Sequence, residues 1–119
     1  DHFTHSTSSN PDRVVINRDG DYLLIYNDSL QYSAPDGPYR YNPKIQVEID
    51  GVPVSGAETK CHYQRVDAST GNFESSGTLV YYLEDMTAGE TLTVTSVQEA
   101  EAATLVADQD ALLVLIRKQ

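Results

Sequence analysis

An all-β domain is the fold class this sequence predicts, and three observations predict it. Valine, threonine, tyrosine, isoleucine and leucine fall in short runs separated by clusters of glycine, proline, asparagine and aspartate, the pattern of many short strands joined by turns. Only Gln98–Val106, with Glu99-Ala100-Glu101-Ala102-Ala103, has helix-forming composition, and Thr104, Leu105 and Val106 interrupt it; the expectation is at most a turn, then extended chain. Two segments, Gly20–Tyr26 and Ala111–Ile116, are apolar on both alternating faces. Successive side chains of a strand point to opposite sides, so a strand in a small one-core sandwich should alternate apolar and polar. These two need a cover on their second face, and a chain of 119 residues has little material to supply it. A second copy of the chain is the expected cover, which points to an oligomer with a structural or binding role.

Taken in order, the expected strands are Phe3–Thr4, Val14–Ile16, Tyr22–Tyr32, Lys44–Asp50, Val52–Val54, Thr59–Val66, Gly77–Leu83, Thr91–Val97 and Ala111–Arg117. Ile45, Val47 and Ile49 alternate with Gln46 and Glu48, a half-buried strand, and Leu92 and Val94 alternate with Thr91, Thr93 and Thr95. Asp50-Gly51 between Ile49 and Val52 is a two-residue hairpin signal, because glycine accepts positive φ. Pro35-Asp36-Gly37-Pro38 and Ala68–Asn72 mark loops, Ala88-Gly89-Glu90 a connection, and Asp19-Gly20-Asp21 a turn leading into a strand. Roughly eight to ten strands with no repeat and no low-complexity tail suggest one sandwich or jelly-roll domain over residues 1–119. Residues 1–12 are polar and precede the first clear strand; they read as an edge strand plus loop, with an anchoring segment as the alternative. The chain begins at Asp1, not Met, and a processed protein or a piece of a longer one is expected.

The net charge of -10, from 18 acidic and 8 basic residues, argues against a nucleic-acid partner, whose binding relies on basic patches, and disfavours anionic membrane surfaces. No apolar run approaches a membrane span, so no membrane insertion is expected. With one cysteine, Cys61, no internal disulfide can form. Cys61 falls in an expected strand with Ala57, Thr59 and Tyr63, and reads as a small buried hydrophobe.

Chemistry-bearing patterns are sparse. His2 and His5 are three apart and His62 is distant, short of the three or four ligands of a zinc site. Asp19 and Asp21 lack the spacing of a calcium loop. Serines are many, but no Gly-x-Ser-x-Gly elbow and no glycine-rich phosphate loop occurs. Glu99 with Glu101, and Asp108 with Asp110, read as surface charges. No catalytic residue, metal or cofactor is therefore expected. Eight tyrosines and no tryptophan suit interfaces, since tyrosine joins an apolar body to a polar tip. Tyr39 and Tyr41, beside Arg40 in a proline-bounded loop, are the candidate ligand-contact surface.

Gly20-Asp21-Tyr22-Leu23-Leu24-Ile25-Tyr26 resembles the Gly-x-Tyr strand of the tumour necrosis factor and complement globular-head superfamily. Val47-Glu48-Ile49-Asp50-Gly51 is similar to its strand-turn segment. Ala88-Gly89-Glu90-Thr91-Leu92, running on to Val94, resembles its Leu-x-x-Gly-Asp-x-Val-x-Val element, with Glu90 where aspartate is usual. Ala111–Ile116 resembles its last strand. The segment His5–Pro11, followed by Arg13, Val15 and Gly20-Asp21-Tyr22, is similar to bacteriophage and bacterial members, which often occur in virion proteins.

The resemblance implies a ten-stranded jelly roll that assembles as a homotrimer. With Tyr22 taken as core, Tyr22, Leu24 and Tyr26 face the interior and Leu23 and Ile25 the trimer partner. In the last strand Ala111, Leu113 and Leu115 are expected on the partner side, and Leu112, Val114 and Ile116 inside. The implied function is that of a non-enzymatic virion structural protein of a bacteriophage: a trimeric capsid-decoration, fibre or knob domain on the particle exterior, with the major capsid protein or a fibre as partner. The alternative is a receptor- or glycan-binding head of a tail fibre or bacterial surface filament, extracellular or at the cell surface, contacting a host glycan or receptor. Fold likeness alone does not carry function.

Overall fold

The computed structural model describes residues 1–6, 8–9, 13–34, 39–41, 43–61, 64–66, 71–98, 104–107 and 111–118. Among them there are eleven strands and no helix: β1 (Phe3–His5), β2 (Arg13–Ile16), β3 (Gly20–Ala34), β4 (Tyr39–Tyr41), β5 (Pro43–Ile49), β6 (Val52–Lys60), β7 (Gln64–Val66), β8 (Gly71–Met86), β9 (Thr91–Gln98), β10 (Thr104–Ala107) and β11 (Leu112–Arg117). They form two antiparallel sheets, consistent with a β-sandwich, and a small β4–β7 ladder. The first sheet has the order β1-β2-β9-β5-β6. The second is centred on β3, with β8 along one edge and β11 and β10 sharing the other.

The turn chemistry acts where the sequence places it. Asp50 and Gly51 have φ of 51° and 80°, the two positive values of a type I′ hairpin turn, and Ile49 pairs with Val52 across it. At the β8–β9 connection Glu90 accepts a hydrogen bond from the Thr87 amide at 2.8 Å and its own amide donates to the Thr87 carbonyl. Asp19 and Asp21 accept from the amides of Ala88 and Asp85, so both aspartates are engaged in binding turn amides.

The strand boundaries shift in two places. The expected Tyr22–Tyr32 and Gly77–Leu83 strands extend into β3 and β8, the long antiparallel pair of the second sheet. The expected Val52–Val54 and Thr59–Val66 regroup as β6 and β7. Gly56 explains the first half of that change: at φ 82° it lies near the register shift of β6 against β5, between Gln46 and Glu48. A bulge of this kind lets a strand continue instead of ending. In the Gln98–Val106 region, Thr104–Ala107 is extended, and residues 99–103 lie outside the described ones.

The core fills the space between the two sheets. Tyr22, Leu24, Ile16, Ile45, Val47 and Leu92 are fully or almost fully buried, with Leu79, Leu83 and Cys61 beside them. The Tyr22 hydroxyl donates to the carbonyl of Arg18 at 2.8 Å and lies 3.1 Å from that of His2, which satisfies a polar tip that burial would otherwise strand.

One expectation is corrected. Leu115 pairs with Leu24 and Leu113 with Tyr26, whereas Ile116 pairs with Leu23 and Val114 with Ile25. Directly opposed residues share a face. Leu115 is buried and Leu113 packs against the core, while Leu112 and Ile116 are more than half exposed. The last strand thus has the facing opposite to that expected: Leu113 and Leu115 turn inward, and Leu112, Val114 and Ile116 outward. A strand apolar at every position carries no phase in its sequence, and a one-residue slip exchanges its faces.

Candidate functional site

The outer face of the second sheet is the largest unexplained feature of this fold. Register places three rows across it: Tyr82–Leu23–Ile116, Val80–Ile25–Val114 and Thr78–Asn27–Leu112. Seven of these nine side chains are aliphatic or aromatic. Val80 is 59% exposed, Leu112 59%, Ile116 51% and Tyr82 39%, with Leu23, Ile25 and Val114 partly exposed between them. Apolar patches of this continuity on a soluble surface mark contact sites.

Polar pairs frame the patch at both ends. Asn27 Nδ2 donates to Thr78 Oγ1 at 2.7 Å. At the opposite end Tyr82 donates to Asp21 Oδ2 at 3.0 Å, and Lys118 Nζ lies 5.9 Å from the Tyr82 ring centroid. The Asp85 amide, then the Tyr82 hydroxyl, and the Lys118 charge hold the Asp21 carboxyl below its usual range. A sheet face with aliphatic rows and a hydrogen-bonded rim has the composition of a protein interface. Of the expected interface residues, Leu23 and Ile25 lie on this face. Leu113 and Leu115 lie under it, and Ala111 precedes β11 at the sandwich edge.

A buried polar cluster sits on the inner side of β3. Asp28 is 4% exposed. Its Oδ2 accepts the Tyr26 hydroxyl at 2.8 Å, and among the described residues its buried Oδ1 has no hydrogen-bond partner. Burial first, then Asp28, pushes the Tyr26 phenol above its ordinary value of 10.0. Burial, followed by the Asp28 charge, also raises the Cys61 thiol. A raised thiol is a poor nucleophile, so this cluster has the chemistry of packing.

Two predictions arise here. Tyr26→Phe leaves Asp28 without its hydrogen bond and costs about 1–3 kcal/mol, read from urea midpoints near neutral pH. Because folding raises the phenol pKa, the contribution of Tyr26 is complete below pH 10.0 and declines above it. The gap between wild type and Tyr26→Phe therefore narrows as pH climbs past that value. Second, a Cβ at Gly77 would stand 2.7 Å from Cys61 Sγ and 3.2 Å from Ile45 Cδ1. Gly77→Ala costs about 1–3 kcal/mol through overpacking, and adding Cys61→Ala restores part of the melting temperature by clearing the nearer contact.

Two concavities lie among the described residues. One, of about 560 Å³, opens between the sheets at one edge, lined by Phe3, His5, Arg13, Val14, Tyr26, Leu92, Val94, Ala111, Leu112, Leu113 and Leu115. The other, of about 330 Å³, is lined by Arg13, Glu48, Asp50, Gly51, Thr91, Thr93, Val94 and Thr95. In the second, Glu48 Oε1 already accepts from Gln46 at 3.1 Å and Thr95 at 3.3 Å.

The backbone of Tyr39–Tyr41 forms β4, paired with β7; the side chains of Tyr39, Arg40 and Tyr41 lie outside what is described, as does His62. Among the described residues no group of three or more histidine, cysteine, aspartate or glutamate side chains could hold a metal ion, and no helix is long and apolar enough to cross a membrane. Sequence reasoning missed Val80 and Tyr82, whose place beside Leu23 and Ile25 depends on the pairing register. No family model matches the chain, and no curated protein was found to match it.

Proposed function

We propose that this chain is a non-enzymatic structural domain that assembles as a homotrimer through the outer face of the second sheet, and that it serves on the exterior of a bacteriophage particle as a capsid-decoration, fibre or knob domain. The observation that carries the assembly is the seven-residue apolar face of β8, β3 and β11. The virion role rests on the resemblance of His5–Pro11 and the Gly20–Tyr26 strand to phage members of the jelly-roll superfamily. The strand orders support that resemblance: the chain passes repeatedly between sheets, with β2 and β9 in one and β3, β8 and β11 in the other, as Greek-key sandwiches do. The interface residues of this reading are Leu23, Ile25, Val80, Tyr82, Leu112, Val114 and Ile116. Antibody labelling of virions tests the placement: label on capsid faces or fibres is expected, and label absent from particles would reject it.

A second reading, a glycan- or receptor-binding head, is favoured by the concavity beside Thr91, Thr93 and Thr95, whose hydroxyls and carboxylate neighbours suit a polar ligand. Screening the trimer on a glycan array, with Thr93→Val as the variant, tests it. Binding lost in Thr93→Val supports the head, and an array without any signal rejects it.

A further inference from the structure

Strand β1 is three residues long and stands at the edge of the first sheet; among the described residues its ladder is with β2 alone. Beyond that ladder, a few contacts fix it. The Asn17 amide donates to the His2 carbonyl at 2.9 Å, and the Tyr22 hydroxyl lies 3.1 Å from the same oxygen. Asn17 Nδ2 donates to Thr4 Oγ1 at 2.7 Å, and Phe3 packs against the core. Short edge elements held by few bonds are the parts of a fold that open locally.

A titratable ring sits at this point of attachment. His2 Nδ1 is buried, and among the described residues it has no hydrogen-bond partner. An imidazolium carries a proton on both nitrogens, so charging the ring places a buried N–H where no acceptor stands, and an unmade hydrogen bond is costly. The neighbours add to that cost. Tyr22, beside the His2 carbonyl, donates to the carbonyl of Arg18 and pairs with Arg117 across the β3–β11 ladder, so both arginines belong to elements that meet at His2. The Arg117 guanidinium donates to the Asp19 carbonyl at 2.7 and 3.2 Å, an uncharged acceptor. The charges that act on His2 are those of Arg117, Arg18 and the amino group of Asp1, and each opposes a positive ring. Burial first, then these charges in that order, holds the imidazole below its ordinary value of 6.5.

We propose that His2 is a proton switch for the N-terminal strand: the neutral ring lets β1 lie on β2, and the charged ring lifts His2–His5 from the sandwich edge and withdraws Phe3 from the core. The sign follows from linkage. A ring that charges less readily when attached than when released leaves attachment complete above 6.5 and weakens it as pH falls below that value. The switch lies at the edge of the first sheet, whereas the trimer reading uses the outer face of the second, so the two stand or fall separately.

The test is amide hydrogen exchange followed by NMR on the whole chain, with each rate divided by its intrinsic rate at the same pH. Between about pH 8 and about pH 5, the window in which histidine titrates, protection of the Asn17 amide should fall several-fold while the amides of β5 and β9 keep theirs. His2→Gln, neutral at every pH, should keep Asn17 protected throughout, and His5→Gln should behave as the wild type. Arg18→Gln, at an exposed position, removes one opposing charge and should shrink the fall. Asn17 protection that does not change with pH in the wild type overturns the proposal. So does an equal fall in His2→Gln, which would move the switch to another group. Should His2→Gln fail to hold the strand even at the upper end of this range, Arg18→Gln decides: a smaller fall supports the proposal, and a fall as large as the wild type's overturns it.

Discussion

On the proposed assembly, Ile116→Asp and Val80→Asp are each expected to convert the oligomer to a folded monomer. Both side chains are more than half exposed in the single chain, so a carboxylate at either position stays hydrated and leaves the fold intact. In an assembly that buries this face, each copy carries an unpaired charge out of water. Such a charge costs about 3–5 kcal/mol, and symmetry repeats it in every copy. Dissociation constants should therefore rise by more than about a hundredfold. The matched control is Val52→Asp. Val52 is 66% exposed but sits in β6, in the other sheet, beside the Asp50-Gly51 turn, and its substitution should leave the mass unchanged. Analytical ultracentrifugation of the three variants at equal concentration reads the result.

Tyr22→Ala has the largest expected effect on stability. The ring is fully buried, and its removal leaves a cavity that a packed core refills only in part, a loss of about 3–5 kcal/mol. The same change strips the hydroxyl from the carbonyl of Arg18 and the nearby carbonyl of His2, loosening the hold of the turn before β3 and of the chain before β1. Tyr22→Phe separates the two contributions, since it keeps the ring and should cost about 1 kcal/mol. Chemical denaturation reads both values. Against the about 5–15 kcal/mol typical of a folded domain, this loss removes a large fraction of the stability.

Strands whose two faces differ were legible in the sequence. Ile45 and Val47 alternate with Gln46 and Glu48, and the structure buries the first pair. Asp50-Gly51 announces its turn because only a few residues accept positive φ twice in succession. Ala111–Ile116 behaves differently: with apolar side chains at every position, its phase is set by pairing to β3 and by nothing local. That these strands are apolar on both faces was legible, but which residues stand on the outer face was not. Val80 and Tyr82 joined the face only through the register of β8. Asp28 stands in an ordinary strand sequence, and its burial follows from lying opposite Gly77 near Cys61.

The most direct measurement is the native mass by light scattering over a dilution series. The account predicts a stable species at three times the 13.1 kDa chain mass, reduced to one chain mass by Ile116→Asp. A monomer at all concentrations would contradict it, because the apolar face of β8, β3 and β11 would then stand in water uncovered.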